Sequence, residues 1–349
     1  MGSDINRQWR VARFPEPGDS ISAGNFQWRE ESVPKAGDGE FLVRTLCLAP
    51  GPAQRGYIDP GHQSILEKVN VGDVMRGRGV GQVIESKHED YAAGDIFVGS
   101  LGWQDYSIQK PQGAAFVFSS KKIIRRIRPT EMILGILGQA GVTAFFGVKE
   151  HAKVEPGNAF LVSAAAGGVG SVVGQIARIQ GASPIVGIAS SDEKCAWLCD
   201  ALGYDQAINY KKENVADRLT ELFPNGIDVF FDNVGGEILD EALAHLAFHA
   251  RVVICGFIST DYAAGPQHGP YNYRHLLYKR ATMQGFVFFD YWDRYAEAES
   301  ALVDWYEQGL LKPAEDIDDG LELMPESLGS LFSGGNRGIK ICRVAPDPD

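Results

Sequence analysis

Residues 159 to 181 read Ala159-Phe160-Leu161-Val162-Ser163-Ala164-Ala165-Ala166-Gly167-Gly168-Val169-Gly170-Ser171-Val172-Val173-Gly174-Gln175-Ile176-Ala177-Arg178-Ile179-Gln180-Gly181. The first five residues spell a short buried strand. From Val169 onward, Val173, Ile176, Ala177 and Ile179 fall near helical spacing. Between them lies Ala165-x-Gly167-x-x-Gly170, with alanine at the first position of the dinucleotide-binding signature. Small residues there let the backbone approach a pyrophosphate, and the last glycine lets helix and strand pack closely. The helix N-terminus adds free N–H groups and a partial positive charge. A glycine triplet alone says little. One with a strand before it and a helix after it implies a nicotinamide or flavin dinucleotide.

Beyond this stretch the strand–helix alternation continues. Strands are predicted at 159–163, 184–189, 206–209, 227–232, 251–255 and 282–288, and helices at 169–180, 191–202, 214–223 and 237–248. The pattern predicts an α/β fold, a doubly wound parallel sheet with helices on both faces. The N-terminal 120 or so residues differ, with Gly, Pro and short apolar alternations such as Phe41 to Leu46, Val80 to Glu85 and Ile96 to Val98. That texture predicts a mostly β, barrel-like unit. The tail reads as a helix from Trp292 to Gln308, an acidic turn region from Glu315 to Glu322 and a last strand over 338–344, returning to the first domain.

The 349 residues suffice for two domains, and the net charge of −12 argues against a nucleic-acid partner. The basic run Lys121 to Arg128 reads as a half-buried connector with a solvated side. No apolar stretch reaches the ~18–20 residues of a membrane helix, and no export signal is visible, so a cytoplasmic protein is expected. Five cysteines without framework spacing suit a reduced compartment. Cys195 with Cys199, and His245 with His249, have i, i+4 spacing, but the two thiols have no nearby pair and read as packing residues, and Leu246 breaks the zinc-protease pattern of the histidines.

An NAD enzyme places Asp or Glu on the adenosine ribose at the end of the second strand, about 20 residues past the glycine turn. Here Ile188-Ala189-Ser190-Ser191 occupies that place, with Lys194 just beyond. A hydroxyl and a cation suit a 2′-phosphate. Asp192 fits the first turn of the following helix, where an acid is favourable. NADP(H) is therefore expected over NAD(H).

Several further blocks now matter: Gly72 to Met75, Gly102 to Tyr106, Gly141 to Ala144, Ser191 to Lys194, Asn209 to Lys211, Phe231 to Gly236, Ile254 to Ser259 and Asn336-x-Gly338. On them the chain resembles the zinc-independent medium-chain dehydrogenase/reductase group. That group includes the NADPH-dependent alkenal/enone double-bond reductases, prostaglandin reductases, leukotriene B4 hydroxydehydrogenases and curcumin reductases. The resemblance implies a Rossmann NADP-binding domain over 128–291 and a GroES-like catalytic domain over 1–127 and 292–349. It implies that Gly167, Gly168, Val169 and Gly170 hold the pyrophosphate, and that Ser190, Lys194 and Tyr210 surround the 2′-phosphate. It implies Asn233, Cys255, Ile258 and Ser259 along the nicotinamide ribose, backbone groups of Phe286, Val287 and Phe288 on the carboxamide, and Asn336 reaching the cofactor from the tail. A homodimer is implied as well, with the apolar edge Thr282 to Phe289 facing a second copy.

Zinc-dependent relatives carry Gly-His-Glu where this chain has Gly77-Arg78-Gly79, and no four-cysteine lobe exists. Metal-free conjugate reduction of an α,β-unsaturated aldehyde or ketone is the implied activity. Quinone reduction, hydroxyl oxidation and low-turnover dinucleotide binding are the alternatives. The sequence departs from the family at the substrate end. Thr260-Asp261-Tyr262 puts Asp261 at the position of the family tyrosine, which leaves Tyr262, a ribose hydroxyl or water as proton donor. Gly51-Pro52-Ala53-Gln54-Arg55 lacks an expected aromatic; either Tyr57 replaces it or Tyr57 simply packs.

Overall fold

A computed structural model describes residues 4–16, 18–61, 67–111, 120–123, 127–259 and 269–348. The chain divides into two compact units. Unit 1 comprises residues 1–135, 315–336 and 340–349; unit 2 comprises 136–314 and 337–339.

Unit 1 carries β1 (Ile5–Val11), β2 (Phe26–Ser32), β3 (Phe41–Ala49), β4 (Arg78–Ser86), β5 (Ile96–Ser100), β6 (Tyr106–Gln109) and β7 (Lys121–Ile123). The strands of unit 2 follow: β8 (Phe160–Val162), β9 (Ile185–Ala189), β10 (Gln206–Asn209), β11 (Ile227–Asp232), β12 (Leu246–Ile254) and β13 (Thr282–Gly285). Unit 1 then resumes with β14 (Glu315–Asp319) and β15 (Ile339–Arg343), whose first residue is counted with unit 2.

In unit 1, β1 and β2 form an antiparallel ribbon, and the main sheet runs β14-β15-β3-β4-β5-β7, with β6 also on β3. Alternate side chains of β3 to β5 meet in a core of Phe41, Val43, Val83 and Phe97, closed by Met75 and Trp103. The segment expected as an acidic turn is strand β14. Lys340 of β15 reaches Asp316 at 3.1 Å and Asp318 at 2.8 Å, and Arg343 reaches Asp319 at 2.7 Å. Opposite charges across the pair turn an acidic run into a stable edge strand.

In unit 2 the order β10-β9-β8-β11-β12-β13 is parallel throughout. Counting from β8, this is the 3-2-1-4-5-6 order of the Rossmann fold, and direction reverses between β8 and β11. Beside α1 (Ala53–Tyr57) in unit 1, the helices here are α2 (Gln139–Phe146), α3 (Gly170–Ile179), α4 (Asp192–Leu202), α5 (Val215–Leu222), α6 (Gly236–Ala244), α7 (His275–Lys279) and α8 (Tyr295–Glu307). α3 buries Val172, Val173, Ile176 and Ala177 as its spacing requires. α6 ends at Ala244, short of the expected 248, because Leu246 already pairs with Ile227 and His249 (φ 62°) bends the following strand.

The division of the chain departs from the expected boundary at 292. Helix α8 packs within unit 2: Trp305 lies 5.9 Å from Phe145 of α2, Glu297 pairs with Lys149, and Arg294 reaches Glu150 at 2.7 Å. The buried Ala298, Leu302 and Val303 face explains this placement, and the chain leaves the unit only after Ala314. No helix among the described residues is long and apolar enough to cross a membrane.

Candidate dinucleotide site

The ends of β8 and β11, at the reversal point, are stitched by one buried serine. Ser163 Oγ donates to Asp232 Oδ1 at 2.7 Å and accepts from Asn233 N at 2.8 Å. Asn233 Nδ2 donates to Ser163 O at 2.8 Å. Asp232 also accepts from Val234 N at 3.0 Å and from Gly235 N at 3.0 Å. Burial pushes this carboxyl above its ordinary range, while the serine and the two amides pull it back. Asp232 lay within a recognised block, but nothing local in the sequence showed that it organises the turn.

The turn after β8 is tight. Ala164 adopts φ 45°, Gly167 N donates to Ala164 O at 2.9 Å, and Ala165 N donates to Ile188 O at 3.0 Å. Gly170 opens α3 against this backbone, so close that a Cβ there would lie 2.4 Å from Ala164 O. Gly168 is different: its nearest neighbours would be ordinary contacts at 3.7 Å. Gly167, Gly168 and Val169 are half-buried at the helix N-terminus, the kind of place where free backbone N–H groups suit an anion. The returning tail lies along them: Gly338 pairs with Gly167, and its N–H donates to Ala166 O at 2.8 Å. Asn336, buried and counted with unit 1, immediately precedes this segment.

At the ends of β9 and β10, Ala189 stands opposite Asn209, so Ser190 and Tyr210 follow side by side. Tyr210 N donates to Ala189 O at 3.1 Å, and its side chain is exposed. Ser191 caps α4 by accepting from Lys194 N at 3.3 Å, which brings Lys194 to the same corner. Asp192 stands in the first turn of α4 as expected. Its carboxylate is held below the usual range by Lys212 and then Asn209, each at 2.5 Å.

The nicotinamide-side residues also come together. Cys255 N donates to Asp232 O at 2.8 Å, Ser259 N to Val234 O at 3.2 Å and Ser259 Oγ to Val234 O at 2.6 Å, so residues 255–259 run along the Asp232–Val234 turn with Asn233 and Ile258. Burial, with Asp232 nearby, pushes the Cys255 thiol up to about 12, which keeps it protonated. Phe286 N lies 3.4 Å from Ile254 O, and Val287 and the buried Phe288 continue from there. The Phe286 ring stacks on His151 at 4.8 Å. Tyr57 belongs to unit 1, where it packs half-buried against the core beneath the Arg76 guanidinium, 5.1 Å from its ring centre. Tyr262 lies outside the described residues.

The family model described as zinc-binding dehydrogenase matches residues 168–305, and that described as N-terminal domain of oxidoreductase matches residues 7–117. The NADPH-dependent curcumin reductase of Escherichia coli (strain K12) is 34% identical, over 98% of both chains. The 2-alkenal reductase (NADP(+)-dependent) of Nicotiana tabacum is 36% identical over 88% of each. Among solved structures, CurA from Vibrio vulnificus in complex with NADPH superposes with a TM-score of 0.89 at 33% identity, over 98% of this chain and 100% of that one. The chain is a zinc-independent medium-chain dehydrogenase/reductase.

The donor set of this dehydrogenase/reductase does not fit the metal in the family model's description. No three His, Cys, Asp or Glu side chains gather at one point among the described residues. His245 bonds to Glu241 O and Thr220, and burial pushes the Cys195 thiol up to about 11.

Proposed function

We propose that this enzyme is an NADPH-dependent reductase of the C=C bond of α,β-unsaturated aldehydes and ketones. The observation that carries the cofactor choice is the corner built by Ser190, Lys194 and Tyr210, with the adjacent Asp192 committed to Lys212 and Asn209. A ribose diol has no free acid there, whereas a 2′-phosphate has hydroxyls and a cation. The names of the curcumin and alkenal reductases support the reaction class.

When bound, NADPH supplies a hydride to the β-carbon of the substrate. The glycine turn and the N-terminus of α3 hold its pyrophosphate. Asn233 and Cys255 to Ser259 would lie along its nicotinamide ribose, and the backbone of Phe286 to Phe288 would hold the carboxamide. Hydrogen-bond donors aimed at the substrate carbonyl would stabilise the charge that develops there. Tyr262 delivers the proton to the α-carbon. Tyr262→Phe is then expected to lower kcat by about 10²-fold, the usual contribution of a general acid. Full turnover in that variant would remove Tyr262 from the mechanism.

The deciding assay follows NADPH consumption against short enals, aryl enones and quinones, with NADH in parallel and products identified by mass. Saturated carbonyl products with NADPH alone are expected; quinols, or no product, would overturn the reading. Lys194→Ala should raise the KM for NADPH by about 10- to 100-fold, as loss of a charge-assisted contact of ~1.5–3 kcal/mol implies, and leave that for NADH nearly unchanged. Equal effects on both cofactors would remove Lys194 from the phosphate site.

A second copy is the proposed partner of the sheet edge. Every residue of the outer strand β13 is exposed, Met283 among them, and Leu277 and Tyr278 of the preceding helix are exposed apolar residues as well. The reduced cysteines support a cytoplasmic setting.

A further inference from the structure

Arg337 reaches unit 2 on the returning tail, one residue before the glycine that pairs with Gly167. Its guanidinium lies 5.6 Å from the centre of the Trp197 ring and donates to Glu193 Oε1 at 3.3 Å. Glu193 and Trp197 are four residues apart on α4, so the arginine lies along one face of that helix. Glu193 is the residue before Lys194.

The charge pattern around Lys194 gives this contact its meaning. Two acids, Asp192 and Glu193, open α4 at the place where an NAD enzyme keeps its ribose-binding acid. Left alone, either would repel a 2′-phosphate and attract a ribose diol. Each is instead held by a cation from elsewhere in the chain. Lys212 and Asn209, at and after the end of β10, take Asp192, and Arg337 from the tail takes Glu193.

We infer that Arg337 is a specificity-determining residue for the cofactor: it holds the Glu193 carboxylate away from the 2′-phosphate and adds positive charge at that end of the site. The inference rests on the proposed use of NADPH. The Arg337–Glu193 pair is well exposed, 51% and 81% by side chain, so it contributes little to folding. Its effect is on the local potential, felt by a phosphate within about 8–10 Å.

The test uses the full chain and two adenosine-side fragments, 2′,5′-ADP and 5′-AMP, titrated by calorimetry. Arg337→Ala is expected to weaken 2′,5′-ADP by about three- to tenfold and 5′-AMP by less than about twofold, the scale of a partly screened charge interaction. The melting temperature should stay unchanged. Arg337→Lys should retain most of the affinity for 2′,5′-ADP. In a Glu193→Gln background the same Arg337→Ala change should cost clearly less, because the charge that it neutralises is gone. Equal weakening of both fragments, or an undiminished loss in the Glu193→Gln background, overturns the inference. Lys194→Ala separates this from the underlying reading: if it too leaves the two fragments equally affected, the NADPH assignment itself fails.

Discussion

Gly170→Ala is expected to abolish dinucleotide binding and to destabilise unit 2 by about 3 kcal/mol or more, at the upper end of overpacking costs. The added Cβ would lie 2.4 Å from Ala164 O and 2.8 Å from Ala165 Cα. Both are backbone atoms, so no side-chain rotation relieves the contact. The turn itself must move, and it is tied down through two adjacent residues, by Ala165 N on Ile188 O and by Gly338 N on Ala166 O. Gly168→Ala is the control. Its nearest contacts at 3.7 Å leave the fold intact, while the methyl takes space beside the pyrophosphate. Thermal unfolding with NADPH fluorescence titration separates the two. A Gly170→Ala protein with ordinary melting and binding would disprove the close-approach argument.

That turn was legible because its chemistry is local: strand, small residues and helix lie within one short stretch. Strands β8, β9, β11 and β12 were legible for a similar reason, since each has its own apolar run. What escaped the sequence depends on partners far along the chain. Strand β14 looked like an acidic turn because Lys340 and Arg343, which neutralise it, come only on the later strand β15. Helix α8 was assigned to the wrong side of the boundary because its apolar face does not say which unit it covers; Phe145 and Leu302 decide that. The pairing of Arg337 with Glu193 spans 144 residues and has no periodicity to announce it. The room that Gly174 of α3 leaves for the Tyr204 ring, whose hydroxyl donates to Gly170 O at 2.6 Å, likewise depends on a residue outside the helix. Lys194 could be singled out because the glycine turn fixes where the second strand must end.

Asp232→Ala is expected to cost about 3 kcal/mol or more, from the buried donors that lose their acceptor. The carboxylate is fully buried and accepts from Ser163 Oγ, Val234 N and Gly235 N. Removing it strands three donors, each worth about 1–3 kcal/mol when left unsatisfied. Relief of the buried charge acts the other way, but the hydrogen bonds that hold the site outweigh it. The pH dependence carries a sign of its own. Because burial raises this carboxyl above 3.8, the native state holds its proton more tightly than the unfolded chain does. Its contribution to stability therefore falls as pH rises from the ordinary value through the raised one. The gap between wild type and Asp232→Ala, measured by urea unfolding, should accordingly narrow from acidic toward neutral pH without closing. The catalytic effect follows from the same bonds. Residues 255–259 dock on the carbonyls of Asp232, Asn233 and Val234, so the variant should lose kcat more than NADPH affinity, which resides at the glycine turn and Lys194. A variant as stable as wild type, or one that lost affinity while keeping kcat, would show that the Ser163–Asp232 stitch does not organise the nicotinamide side.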